Sequence, residues 1–119
     1  MTADKKGAAS GPLPRPSEGS HHLDPNALDW QPTDAPGFWA KPLLRDPATG
    51  ARTELSRMEP GAHVGAHSHA ELEEILVLSG EFSDEERTYR AGDYCIRAPG
   101  ALHTTHSERG CTVLVIYRR

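Results

Sequence analysis

The feature that most constrains the fold is a series of short apolar runs separated by turn residues. Between residues 38 and 117, β-branched and aliphatic runs alternate with glycine, proline and aspartate, and no stretch shows a helical period with caps. This pattern is typical of an all-β antiparallel barrel or sandwich, a jelly roll in its compact form. The predicted strands are 38–44, 52–58, 72–78, 88–89, 93–98 and 112–117.

Two of these runs, 75–78 and 113–116, are apolar at every position. A strand with one face in water should alternate between apolar and polar residues. We therefore expect both strands to be central, or to be covered by another sheet or a second subunit.

The two ends of the chain differ in kind. Residues 1–28 are rich in glycine, proline, serine and charge, so they cannot bury enough surface to offset the entropy of ordering them. We predict a flexible tail over 1–28 and a single folded domain over 29–119, small enough to gain from a homodimer interface.

Charge and hydropathy exclude several classes of partner. A net charge of -4 argues against nucleic acid, because phosphate contacts need a basic surface. No apolar run is long enough to cross a bilayer, and the N-terminal lysines are not followed by the apolar run of a signal peptide. We expect a cytoplasmic protein, in which Cys95 and Cys111 are buried reduced thiols; a disulfide or redox role is the alternative.

One histidine-rich segment, together with a histidine about thirty residues later, predicts a metal site. His67, His69 and Glu73 share odd numbering, so in an extended segment their side chains point to one face. His103 follows a Pro-Gly turn that would bring a second strand across the barrel. Three imidazoles and a carboxylate suit a divalent transition metal.

The spacing of these residues resembles the two sequence motifs of the cupin superfamily, over roughly residues 38–117. The first motif is present at every defining position: Gly61, His67, His69, Glu73 and Gly80. The second motif runs through Gly92, Ala98, Pro99, Gly100 and His103, with Ala98 where the family usually has proline and Ser107 where it often has asparagine. Neither departure touches the metal ligands.

Within the cupins, residues 60–84 and 103–111 are similar to the C-terminal cupin domain of ChrR-type zinc anti-sigma factors. That group also resembles small dioxygenases that cleave diketones and hydroxyacetophenones. The anti-sigma proteins carry a further N-terminal zinc-binding helical domain, whereas this chain has no cysteine before residue 95. The resemblance implies a single antiparallel barrel of six to eight strands, usually dimeric, with His67, His69, Glu73 and His103 holding a metal in its mouth.

Further residues are candidates for the pocket around the metal. Ile75 and Val77 share the ligand parity on an apolar strand, and Tyr94 and Leu102 are candidates to help exclude water. His63 and His106 could take an outer role at the mouth, the alternative being rim residues, and Glu71 is expected to be a solvated rim carboxylate.

Two functions remain open. The first is a non-haem oxygenase, in which Fe(II) is the first choice of metal and a small enolisable or phenolic substrate binds it through oxygen. The second is a zinc-binding sensor or regulatory module without catalysis, acting through a protein partner or a small-molecule ligand. Mn, Ni, Co and Cu also suit these ligands, and the intact ligand set argues against a metal-independent isomerase.

Overall fold

The computed structural model describes residues 11–119 and is built almost entirely of strands. One 3-10 helix, Pro25–Ala27, precedes them, and no helix within residues 11–119 has the length and apolar character needed to span a membrane. The nine strands of this part of the chain are β1 Gln31–Pro32, β2 Phe38–Asp46, β3 Ala51–Met58, β4 His63–His67, β5 Leu72–Ser83, β6 Thr88–Arg90, β7 Tyr94–Arg97, β8 His103–His106 and β9 Cys111–Arg118.

All strand pairs are antiparallel, and the sheet curls into a half-barrel. The strand order is β1-β2-β3-β9-β5-β8-β4, with β6 and β7 also paired to β5. The all-β antiparallel fold predicted from the sequence is therefore confirmed.

Strand β5 joins the two halves of the barrel. Its first part pairs with β7 and β9, while its end, from Glu81 to Ser83, pairs with β6 and reaches β8. The change of direction follows a register shift between Val77 and Ser79 and a left-handed Gly80 with φ +76°. A bulge of this kind bends a strand locally, so β5 can serve both halves.

The core lies inside the curl. Its members are apolar side chains that point inward from β3, β5, β7 and β9, with Ala62 from the turn before β4: Met58, Ala62, Ile75, Val77, Phe82, Cys95, Cys111, Val113, Val115 and Tyr117. Both cysteines are free and buried.

In the structure, the two faces of the runs that are apolar at every position differ in burial. Their inward residues, such as Val77 and Val113, are at most 2% exposed. Their strands are central, with β9 between β3 and β5. On β5 the outward Leu76 and Leu78 remain 37% and 48% exposed.

The segment before β1 lies against β2. Leu13 forms a parallel bridge with Leu44, and the ammonium of Lys41 donates a hydrogen bond to the carbonyl of Pro25 over 2.8 Å. Residues 1–10 of the predicted tail lie outside the described residues, and the domain boundary at residue 28 stays a prediction.

Candidate metal centre

Three histidines converge at the mouth of the half-barrel. His67 ends β4 and His103 begins β8, and these two are cross-strand partners, whereas His69 lies in the turn that follows β4. One ligand atom from each ring lies within 4.8 Å of the others. The ring centroids of His67 and His103 are 4.3 Å apart. These three side chains could bind a metal ion.

Backbone carbonyls fix the orientation of two of the rings. Nδ1 of His67 lies 2.8 Å from the carbonyl oxygen of Gly65, and Nδ1 of His103 lies 3.1 Å from that of Ala101. A carbonyl only accepts, so each contact requires the proton on Nδ1, and in the neutral ring Nε2 is then unprotonated. An Nε2 lone pair oriented in this way is what a metal ligand needs.

Glu73 adds a carboxylate beside the histidines. Its Oε1 lies 3.7 Å from Nε2 of His103, and its Oε2 lies 3.8 Å from Nε2 of His69. Both distances are too long for hydrogen bonds, while donor atoms held about 2.1 Å from one ion lie about 3–4 Å apart.

Glu73 is also only 5% exposed, and its buried Oε1 has no hydrogen-bond partner among residues 11–119. A buried carboxylate oxygen without a partner is costly. Three nitrogen donors and one oxygen of this carboxylate therefore fit a divalent transition metal.

The surroundings of the candidate metal centre favour the neutral forms of the His103 imidazole and the Tyr117 phenol. Burial, and then the positive charge of Arg97, lowers the pKa of His103, so its neutral, metal-binding form persists to lower pH. Burial, and then the charge of Glu73, raises the pKa of Tyr117 far above its usual range, so this phenol keeps its proton.

A cavity of about 480 Å³ opens at the three histidines. His67, His69, Glu73 and His103 line one part of it, together with Arg52, Thr105 and Tyr117. The remaining wall is mainly apolar, formed by Phe38, Met58, Val64, Ile75, Phe82, Val113 and Val115. A cavity of this size with one polar end suits a small molecule.

The structure brings the three predicted histidine ligands together and places Glu73 beside two of them, but by a different route from the one expected. The sequence pattern suggested one extended segment carrying His67, His69 and Glu73. Instead, β4 ends at His67, the chain turns, and Glu73 lies on β5, a separate strand. The side chains meet because the curl of the sheet brings β4, β8 and β5 together, with β8 between the other two.

Not all of the predicted pocket residues lie at the cavity. Ile75 lines the cavity, while Val77 is 2% exposed in the core. Tyr94 is 53% exposed on the outer side of β7, where its hydroxyl donates to Oε1 of Glu74 over 2.6 Å. Leu102 is 69% exposed and lines a separate surface depression. Neither Tyr94 nor Leu102 faces the cavity.

The two additional histidines are cross-strand partners away from the cavity wall. His63 of β4 pairs with His106 of β8, and both side chains are exposed. Glu71, expected to be solvated, is half-buried and accepts a hydrogen bond from Nη1 of Arg52 over 3.3 Å.

Three residues at the site were not singled out from the sequence. The ring of Tyr117 packs edge-on against His69 with centroids 5.2 Å apart, and the guanidinium of Arg52 lies 3.9 Å from the Tyr117 centroid. Nε of Arg97 lies 3.5 Å from Oε1 of Glu73. Tyr117 could have been found, because it shares parity with the buried Val113 and Val115; the two arginines depend on strand register, which the sequence does not give.

Solved structures similar to this chain come from several bacteria and include RmlC-like cupins. A chain in the crystal structure of Rhodobacter sphaeroides SigE in complex with the anti-sigma ChrR is 34% identical, with a TM-score of 0.62; the match covers 74% of this chain and 47% of that one. This chain thus spans about half the length of that relative.

Two others share the fold at lower identity. An acetylacetone dioxygenase from Acinetobacter johnsonii is 20% identical with a TM-score of 0.72, over 87% of this chain and 76% of that one. An RmlC-like cupin from Ralstonia eutropha JMP134 is 20% identical with a TM-score of 0.77, over 86% and 70%.

Among curated proteins there is no match to this chain. The family model of the ChrR cupin-like domain, in contrast, matches residues 18–119, nearly the whole of the part that the structure describes. By that match, and by the identity with the chain from the SigE and ChrR complex, this protein belongs to the ChrR cupin-like domain family.

Proposed function

We propose that this protein binds one divalent transition metal through His67, His69, His103 and Glu73, and that it catalyses the oxygenation of a small enolisable or phenolic compound. The observation that carries the proposal is the convergence of three histidine ligand atoms within 4.8 Å at the polar end of a mostly apolar cavity. A purely structural metal would have no use for such a cavity beside it.

Fe(II) is the metal of choice, since bound iron supplies a centre at which an electron-rich substrate and O₂ can react. The chain's own residues prepare the cavity for this. The Nδ1 contacts of His67 and His103 hold their rings in place. Ile75 and the other apolar wall residues exclude water, and the phenol of Tyr117, which keeps its proton, lies in the cavity beside Glu73.

The experiment has two steps. The first is elemental analysis of protein purified without added metal. The second is O₂ consumption after anaerobic loading with Fe(II), measured against a panel of β-diketones and hydroxylated aromatics. We expect substrate-dependent O₂ uptake that is lost in His69→Ala and retained in His106→Ala, whose side chain is exposed away from the cavity. Bound zinc with no uptake for any compound would count against the oxygenase.

A second candidate is a zinc-dependent regulatory module. The observation in its favour is the 34% identity to a chain of the SigE and ChrR complex, which exceeds the identity to the dioxygenase. In this function the metal stabilises the domain, and the cavity takes a small-molecule signal. Zinc content near one per chain, no O₂ uptake, and zinc-dependent binding of a purified sigma factor would support it over the oxygenase.

A further inference from the structure

Behind the proposed ligand Glu73 lies a buried arginine from the neighbouring strand. Glu73 of β5 and Arg97 of β7 are cross-strand partners, and Nε of Arg97 lies 3.5 Å from Oε1 of Glu73. The side chains of Arg97 and Glu73 are 10% and 7% exposed, respectively. Neither Nε nor Oε1 has a hydrogen-bond partner within the described part of the chain. The arginine therefore holds the carboxylate by charge, at Oε1.

The arginine is itself fixed by an anchored carboxylate. Nη2 of Arg97 donates to Oδ2 of Asp84 over 3.1 Å, and the Asp84 side chain is only 2% exposed. Asp84 also accepts from the backbone amides of Glu86 and Arg87 and from the hydroxyl of Tyr89, at 2.8 to 3.0 Å. With so many contacts Asp84 cannot move, and it sets the position of the guanidinium.

We propose that Arg97 is a positioning residue for the metal centre, which acts through Glu73. By holding Oε1, which also lies 3.7 Å from Nε2 of His103, it fixes the orientation of the carboxylate and leaves Oε2, 3.8 Å from Nε2 of His69, as the oxygen for the ion. The proposal rests on Glu73 being a ligand, as in the proposed function. An anchored partner that orients a ligand is worth about 10–100-fold in metal affinity in proteins.

The test is a double-mutant cycle on Co(II) binding, read as the dissociation constant and as the visible absorption spectrum of the bound ion. We expect Arg97→Met to weaken binding about 10–100-fold and to alter the spectrum. In a Glu73→Gln background the same substitution should lose most of its effect on both quantities, because the route through Glu73 is gone. Arg97→Lys, which keeps the charge, should recover part of the affinity.

The matched control is Arg90→Met, an exposed arginine on β6, which should bind Co(II) like the wild type. If Arg97→Met does not fold, as judged by circular dichroism, Asp84→Asn frees the guanidinium instead. Its loss of affinity should likewise disappear in the Glu73→Gln background.

Wild-type affinity in the folded Arg97→Met or Asp84→Asn variant would overturn the inference and leave the proposed function standing. An equal loss with and without Glu73 would do the same, because it would show a general structural effect. Wild-type protein that takes up no Co(II), or a Glu73→Gln variant with unchanged affinity, would overturn the inference together with the proposed ligand set.

Discussion

The side chains at the metal centre differ in how much of the surrounding structure depends on them. His69 lies in the turn after β4, and its side chain is 26% exposed, so its removal opens no hole in the core. We predict that His69→Ala loses metal retention while remaining a folded β protein, because the substitution removes one of the four donor atoms that would hold the ion. Elemental analysis of the purified variant and its far-ultraviolet circular dichroism measure the two outcomes.

His106→Ala is the control for this prediction, since that histidine is exposed on β8, three residues after His103. It should keep the metal content of the wild type. Full occupancy in His69→Ala would remove His69 from the ligand set.

Asp84 supplies a prediction about pH. Burial works against its ionisation, but hydrogen bonds from the amides of Glu86 and Arg87, and then from Tyr89 and Arg97, outweigh burial and lower its pKa below the ordinary 3.8. A carboxyl with a lowered pKa in the folded state stabilises the protein above its unfolded-state value, and this stability is lost as the pH falls through the folded-state value.

Metal-free Asp84→Asn should therefore be about 2 kcal/mol less stable than the wild type at neutral pH, the size expected for hydrogen bonds to a charged group. The difference should shrink as the pH falls below 3.8, because protonation then removes the same charge from the wild type. Urea denaturation at a series of pH values measures it. A difference that stays constant down to pH 2 would show that the Asp84 charge is not what stabilises the fold.

The site was predictable from sequence to the extent that its residues have fixed spacing. His67, His69, Glu73 and His103 fall at the positions of a known motif, and the structure brings the three histidines together with Glu73 beside His69 and His103. The other candidates depended on which way a side chain points. Tyr94 and Leu102 face outward, whereas Tyr117 faces in.

Among the strands, β5 has the largest structural role, because it contributes to both halves of the barrel. Gly80, with φ +76°, lies where it crosses. A Cβ at this position would lie 2.1 Å from the carbonyl oxygen of Gly110 and 2.7 Å from Cα of Cys111, both backbone atoms of the turn into β9. These atoms cannot move without breaking the β5 and β9 pairing.

We predict that Gly80→Ala lowers the free energy of unfolding by about 3 kcal/mol or more, from the left-handed backbone and the clash together. Gly92→Ala is the matched control: its φ is +93°, but a Cβ there meets no atom within 4 Å, so only the backbone cost of about 1–2 kcal/mol remains. Denaturant unfolding of the two variants compares them. Equal losses would mean that the turn at Gly110 adapts.

The strands themselves were predicted where apolar residues dominate and missed where they do not. Six predicted strands correspond to β2, β3, β5, β6, β7 and β9. The strands β4 and β8 were not predicted, because their residues are mostly histidine, glycine, alanine and threonine. These residues serve the site rather than a hydrophobic core. Their pairing with each other, not their composition, makes them strands.

For the molecule as a whole, the unexplained feature is an apolar face on the outside of the sheet, which we call the outer apolar face: Leu76, Leu78, Tyr94 and Ile96, each 37–55% exposed. Its carboxylate, Glu74, is already paired with the Tyr94 hydroxyl and with Arg118. A charged residue on a two-fold axis meets its own copy, so a face whose charge is internally paired suits a second copy of the same chain.

We therefore predict a homodimer formed through the outer apolar face, with the metal centres on the other side of the sheet and independent of it. Leu76→Glu combined with Ile96→Glu should convert the protein to monomers, because buried unpaired carboxylates at the contact would repel each other. Leu102→Glu places the same charge on an equally apolar but separate residue, 69% exposed, and should leave the dimer intact.

Sedimentation equilibrium gives the mass of each protein, and metal content should stay at the wild-type level in the monomeric variant. A wild type that sediments as a monomer at every concentration, or a double variant that stays dimeric, would contradict this assembly and leave the outer apolar face to a different partner.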